Sequence, residues 1–131
     1  MLYEELTEKI IAACFDVSNE LGAGFLESVY EKALLIALTD RGLMVQSQAP
    51  LKVRFRDQIV GDFYADIVVE NRIILELKAV KNLAPEHQAQ IINYLKATGI
   101  EIGLLVNFGN PKLEYRRFQR EKCNTKIVEA I

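Results

Sequence analysis

The sequence predicts an α/β fold in which a mixed sheet is flanked by helices. Three observations carry that expectation. Helical periodicity fills the first third of the chain and returns once, between Asn82 and Thr98. β-Branched apolar runs, broken by polar turn residues, lie between those helical stretches. A further apolar run, Glu101 to Phe108, follows the last helix, so the element order reads ααβββ(β)αβ(β).

The elements follow in order. From Leu2 to Leu21, the apolar residues Leu6, Ile10, Cys14 (or Ala13), Val17 and Leu21 recur at helical spacing. Glu4, Glu5, Glu8, Lys9 and Asp16 stand between them. Gly22-Ala23-Gly24 ends this helix, glycine being the usual residue just past a helical terminus. A second helix from Leu26 to Arg41 sets Val29, Tyr30, Ala33, Leu34, Ala37 and Leu38 at apolar positions, and Gly42 stops it. Glu27 and Tyr30 share one face near its start. An acid in the first turn complements the helix dipole, which by itself accounts for Glu27. Tyr30 fits a core position equally well. Leu43 to Gln48 is read as a first strand. Leu51 to Arg56 alternates apolar with basic, so one face is buried and Lys52, Arg54 and Arg56 form a wet one. Asp57-Gln58 turns the chain toward Ile59. Asn82 to Thr98 is the third helix, with Pro85 in its first turn and Gly99 closing it. The buried strand Glu101 to Phe108 stops at Gly109-Asn110-Pro111. A short basic segment, Glu114 to Phe118, and a last strand, Lys126 to Ile131, complete the chain.

A chain of 131 residues fits one domain, 1–131, long enough to bury a real core. Its formal net charge of −2 does not advertise nucleic-acid binding, but the charge is uneven. Residues 1–50 hold eight Asp/Glu against three Lys/Arg, whereas residues 51–131 hold ten against thirteen. That polarity is compatible with a local phosphate track. No apolar run approaches a membrane span, and the acidic amphipathic start is no signal peptide, so no membrane partner is expected. Cys14 and Cys123 fit no metal spacing and are too few for a disulfide scaffold, which makes a reducing cytoplasm the expected compartment.

The chemistry concentrates in Gly61 to Lys81. Phe63, Ile67, Val68 and Val69 precede the polar break Glu70-Asn71-Arg72, and Ile73, Ile74, Leu75 and Leu77 follow it, which is the pattern of a hairpin. Glu76 and Lys78 share a face, roughly 7 Å apart along the strand. A three-residue loop pairs Val69 with Ile73 and sets Asp66 opposite Glu76, Cβ atoms about 5 Å apart. A two-residue loop would send Asp66 to the other face. Two adjacent carboxylates are costly to bury unless a cation sits between them. Mg²⁺ prefers a few carboxylate oxygens and keeps several waters, one of which can serve as a nucleophile, while a lysine stabilises charge on a phosphate. Taken alone, the same three residues also make an ordinary cross-strand ion pair on a surface hairpin.

Gly24-Phe25-Leu26-Glu27-Ser28-Val29-Tyr30 resembles the motif that names the GxxExxY family, a branch of the PD-(D/E)xK nuclease-like superfamily. The resemblance continues through Asp66, Glu76-Leu77-Lys78, the helix bearing His87, Gln90 and Tyr94, and Leu104-Leu105-Val106-Asn107-Phe108-Gly109. It covers about Leu6 to Phe118. It implies a restriction-endonuclease-like αβββαβ core with the site at the hairpin. It implies metal ligation by Asp66 and Glu76, support from Glu27, and a catalytic Lys78. Gln90-Ile91-Ile92-Asn93-Tyr94 resembles the Gln-x-x-x-Tyr element of RecB-type nucleases, which shapes the site and contacts nucleic acid. Ala65 stands where the superfamily name has proline.

Read without the family, His87, Gln90 and Tyr94 form one polar or amphipathic stripe on their helix, and His87 is a helix-surface residue rather than a ligand. The expectation is therefore a Mg²⁺- or Mn²⁺-dependent nuclease acting on DNA. Asp66, Glu76, Glu27 and the Leu77 carbonyl would hold metal. Lys78 and Gln90 would serve catalysis, and Tyr30, Tyr94 and Arg117 would contact substrate. Lys81, Arg116 and Arg120 are further candidates to border the site, with the acidic first helix lying away from it. A homodimer would double the basic track. The competing expectation is a non-catalytic domain that binds nucleic acid or a protein, which the acidic overall charge favours.

Overall fold

The computed structural model describes residues 3–120 and the backbone of 127–130. Its elements are α1 (Glu4–Leu21), α2 (Glu27–Asp40), β1 (Val45–Phe55), β2 (Gln58–Val69), β3 (Ile73–Lys78), α3 (Pro85–Thr98), β4 (Ile102–Asn107), β5 (Glu114–Arg120) and β6 (Ile127–Ala130). The strands form one six-stranded sheet in sequential order, β1 to β6. Neighbours run antiparallel except β3 and β4, which are parallel and joined through α3. The sheet is thus mixed and helix-flanked, as expected.

In place of the two strands expected at Leu43–Gln48 and Leu51–Arg56, the chain forms one long strand. Pro50 lies inside it without harm, because β1 is a sheet edge and a missing N–H is tolerated there. Of the expected last strand, Ile127–Ala130 is a strand, while Lys126 and Ile131 lie outside the described residues, as do Cys123 and Lys122.

Two helices cover one face of the sheet and one helix the other. Ile10, Cys14 and Val17 of α1 and Tyr30, Leu34 and Leu38 of α2 pack on Ile67, Val69, Ile73, Leu75, Leu77, Leu104 and Val106. Ile91, Tyr94 and Leu95 of α3 pack on Val68, Ile74, Leu105 and Phe118. Covered on both faces, β3 and β4 read as near-continuous apolar runs. Glu76 is the charged residue buried within β3, and Lys78 ends the strand. Glu76 lies on the α3 face.

The β1–β2 hairpin twists sharply at Gln48, which has φ 50°. Ser47 and Gln48 both donate to Glu31 of α2, and beyond that point the inward residues Ala49, Leu51 and Ala65 join the α3-side core. Asp66 sits at this reversal, between Ala65 of one core and Ile67 of the other.

Candidate active site

The three-residue loop is present: Val69 pairs with Ile73, Val68 with Ile74 and Ile67 with Leu75. Glu70 and Asn71 take positive φ of 53° and 55°, and the Arg72 N–H donates to the Val69 carbonyl. Beyond Ile67 the β2–β3 ladder ends, and the Asp66 side chain takes over from it. Its Oδ2 accepts the Leu77 N–H at 2.8 Å. The register that places Asp66 against Glu76 therefore follows from this loop.

Glu76 is 3% exposed, and its Oε1 has no hydrogen-bond partner. Burial raises its pKa to about 9, and a hydrogen bond and charge repulsion from Asp66 push the same way. Lys78, half-buried on the same face, pulls it down. Glu76 thus holds a proton near neutral pH when no cation is present. A buried carboxylate oxygen without a partner, beside a second acid and a lysine, is a donor set that fits a hard divalent cation.

Tyr94 and Gln90 close the site from α3. Gln90 Nε2 donates to the Tyr94 hydroxyl at 3.0 Å, which leaves the phenolic proton for another acceptor. Burial raises the Tyr94 pKa, and the charges of Glu76 and Asp66 add to the rise. His87 has a different use: its Nδ1 accepts the Ala84 N–H at 3.0 Å and caps the start of α3.

Several expected residues are elsewhere. Tyr30 is wholly buried, so it cannot contact substrate. Its hydroxyl donates to the Gly22 carbonyl at 2.6 Å and accepts the Phe25 N–H. Its ring stacks on Phe108, centroids 4.7 Å apart, and Phe108 in turn donates its N–H to the Lys78 carbonyl. Tyr30 is a prop for the site strand, a role its spacing with Leu34 and Leu38 already permits. Arg117 is 4% exposed and pairs with Leu104 on the α1 face, so the sheet separates it from Glu76. Strand alternation decides this: Arg116 and Phe118 face α3, and Tyr115 and Arg117 face α1.

Glu27 stands exposed in the first turn of α2 and is not among the charges acting on Glu76. Among the described residues, no group of three or more His, Cys, Asp or Glu could hold a metal ion, so Glu27 does not join the pair. Arg120 donates to the Gly99 carbonyl at the far end of α3, and Arg116 pairs with Glu114 at 3.6 Å. Lys81, exposed three residues beyond Lys78, is the candidate that stays at the site end of β3. The acidic α1 lies on the opposite face, as expected.

Two residues gain a role that sequence reasoning did not assign. Asn107, fully buried and paired with Lys78, accepts the Val80 N–H and donates to the Val80 carbonyl and to Glu114 Oε1. Gly109 passes so close to Val80 that a Cβ there would lie 2.0 Å from its carbonyl oxygen. Together they fix the chain just after Lys78. A polar residue ending an apolar strand, followed by glycine two positions on, was the available signal.

This mixed sheet, with an acid pair and a lysine where β2 parts from β3, has the architecture of a restriction-endonuclease-like fold. Among solved structures, the crystal structure of SSO0001 is similar, with a TM-score of 0.55 and 17% identity. The match covers 88% of this chain and 58% of that one. No curated protein matches significantly. A model of the PD-(D/E)XK nuclease superfamily matches residues 4–118, and the chain belongs to that superfamily.

Proposed function

We propose that this chain is a metal-dependent nuclease of the GxxExxY branch that hydrolyses DNA phosphodiester bonds. The observation that carries the reading is Glu76, buried, lacking a partner for one oxygen and pressed by Asp66 toward its protonated form. Asp66 and Glu76, with the Leu77 carbonyl, would hold Mg²⁺ or Mn²⁺; Glu27 is left with helix-dipole stabilisation. When bound, the cation supplies charge that polarises the phosphoryl group and acidifies water. Hydrolysis adds water to phosphorus, breaks one P–O ester bond and returns a proton to the leaving oxygen. Lys78 stabilises the charge that builds on the phosphate, and its backbone is held by the Phe108 N–H and by the Asn107–Val80 bonds just beyond it. Tyr94, oriented by Gln90, donates its free proton to a phosphate oxygen.

The functional form proposed is a two-fold pair, for which the exposed Phe55, Ile59 and Val60 at the β1–β2 hairpin tip offer apolar surface. The free, buried thiol of Cys14 suits a reducing compartment, and the cytoplasm is the proposed location. No described helix is long and apolar enough to cross a membrane. The test is calorimetry with Mg²⁺ and Mn²⁺ followed by cleavage assays on DNA and RNA. Binding that disappears in Asp66→Ala, together with metal-dependent cleavage, supports the reading. A folded protein that binds neither ion leaves the non-catalytic alternative.

A further inference from the structure

A groove of about 900 Å³ runs between the β1–β2 hairpin and α3, and Gln90 and Tyr94 line it. Its floor is apolar: Phe63, Val53, Ala89, Ala97 and the ring of Tyr94. Lys52, Arg54 and Lys96 stand along it, with Glu86 as the one acid in the lining. Lys52 is held by Asp62 at 2.9 Å, while Arg54 and Lys96 make no hydrogen bond or ion pair among the described residues.

We infer that this groove binds an unpaired polynucleotide strand, with a base stacked on Phe63 and phosphates on Arg54 and Lys96. Phe63 is 44% exposed and lines the groove, so its ring face is open to a ligand. Its ring is set 5.9 Å from Tyr94 and lies against Gly61, where a Cβ would come within 2.8 Å of it. Lacking that Cβ, Gly61 lets the ring lie toward the helix. A stacking platform bordered by cations suits a single strand, which offers base faces and phosphates together. A duplex hides its base faces and would leave the apolar floor unused. The inference deepens the nuclease reading, on which it rests for where the scissile bond would lie.

Fluorescence anisotropy with labelled oligo(dT), oligo(U) and a duplex of equal length, in Ca²⁺ to limit cleavage, tests it. The wild type should bind a single strand more tightly than the duplex, the two oligomers showing whether DNA or RNA is preferred. Phe63→Ala should weaken single-strand binding roughly 5- to 150-fold, the range for one stacked base, and Phe63→Tyr should retain it. Arg54→Gln with Lys96→Gln should lower the slope of log affinity against log salt by about 0.7 for each phosphate no longer neutralised. A folded Phe63→Ala protein with unchanged single-strand affinity, or a duplex bound as tightly as the single strand, overturns the inference. Phe63-dependent binding without cleavage of any substrate sinks the nuclease reading alone. Metal-dependent single-strand cleavage unaltered by Phe63→Ala sinks the groove alone.

Discussion

Replacing Glu76 by Gln keeps the size of the side chain and removes its titration, so the variant isolates the energetic consequence of burying this acid. In the folded protein the Glu76 pKa rises from 4.5 to about 9, so the native state holds a proton that the unfolded chain releases. Its contribution to stability is complete below about pH 4.5 and is lost progressively as pH rises toward about 9. Between those limits the stability of Glu76→Gln relative to wild type should climb by about 1.4 kcal/mol per pH unit. From about pH 5.5 to about pH 8.5 that amounts to at most roughly 4 kcal/mol, a ceiling because local hydration softens the penalty. Urea denaturation of both proteins in EDTA across this range measures the difference. Adding Mg²⁺ at the alkaline end should restore the wild type and leave the variant unmoved, since a cation replaces the Glu76 proton only where Glu76 can ionise. Parallel stability curves for the two proteins in EDTA would refute the raised Glu76 pKa.

Lys78→Ala should abolish cleavage while leaving calorimetric metal binding largely intact, because an ammonium cannot ligate a cation; undiminished cleavage would point to a contaminating nuclease. Asp66→Ala should lose metal binding and activity together. Its apo stability should change little, since relief of carboxylate repulsion offsets the missing acceptor for the Leu77 N–H, and a large loss in urea melts would contradict this. Tyr30→Phe should cost about 1–2 kcal/mol through the bonds to Gly22 and Phe25, with cleavage retained in the surviving folded protein. Folded Tyr30→Phe without activity would return Tyr30 to the substrate. Asn107→Ala should cost roughly 2–4 kcal/mol by orphaning the Val80 amide groups, and an unmoved denaturation midpoint would remove Asn107 from the site's support.

Much of the molecule is a matter of local period and turn chemistry, and that part was legible in the residues. Leu6, Ile10, Val17 and Leu21 mark a helix because 3.6 residues make a turn, whatever packs against them. Glu70-Asn71-Arg72 sets an odd loop length, and strand period two then brings Asp66 to Glu76 without knowledge of anything else in the fold. The side of the sheet that a residue faces, and what covers it, depends on neighbours distant in sequence. Arg117 looked like one more cation in a basic segment until β4 pairing turned it under α1. Tyr30 shares its motif with Glu27, yet the turn at Gly22 and the ring of Phe108 draw it inward while Glu27 stays in solvent. The proton on Glu76 is the clearest case. Its cause is burial under α3, and desolvation is set by the three-dimensional surroundings of a carboxyl group, which no spacing along one strand encodes.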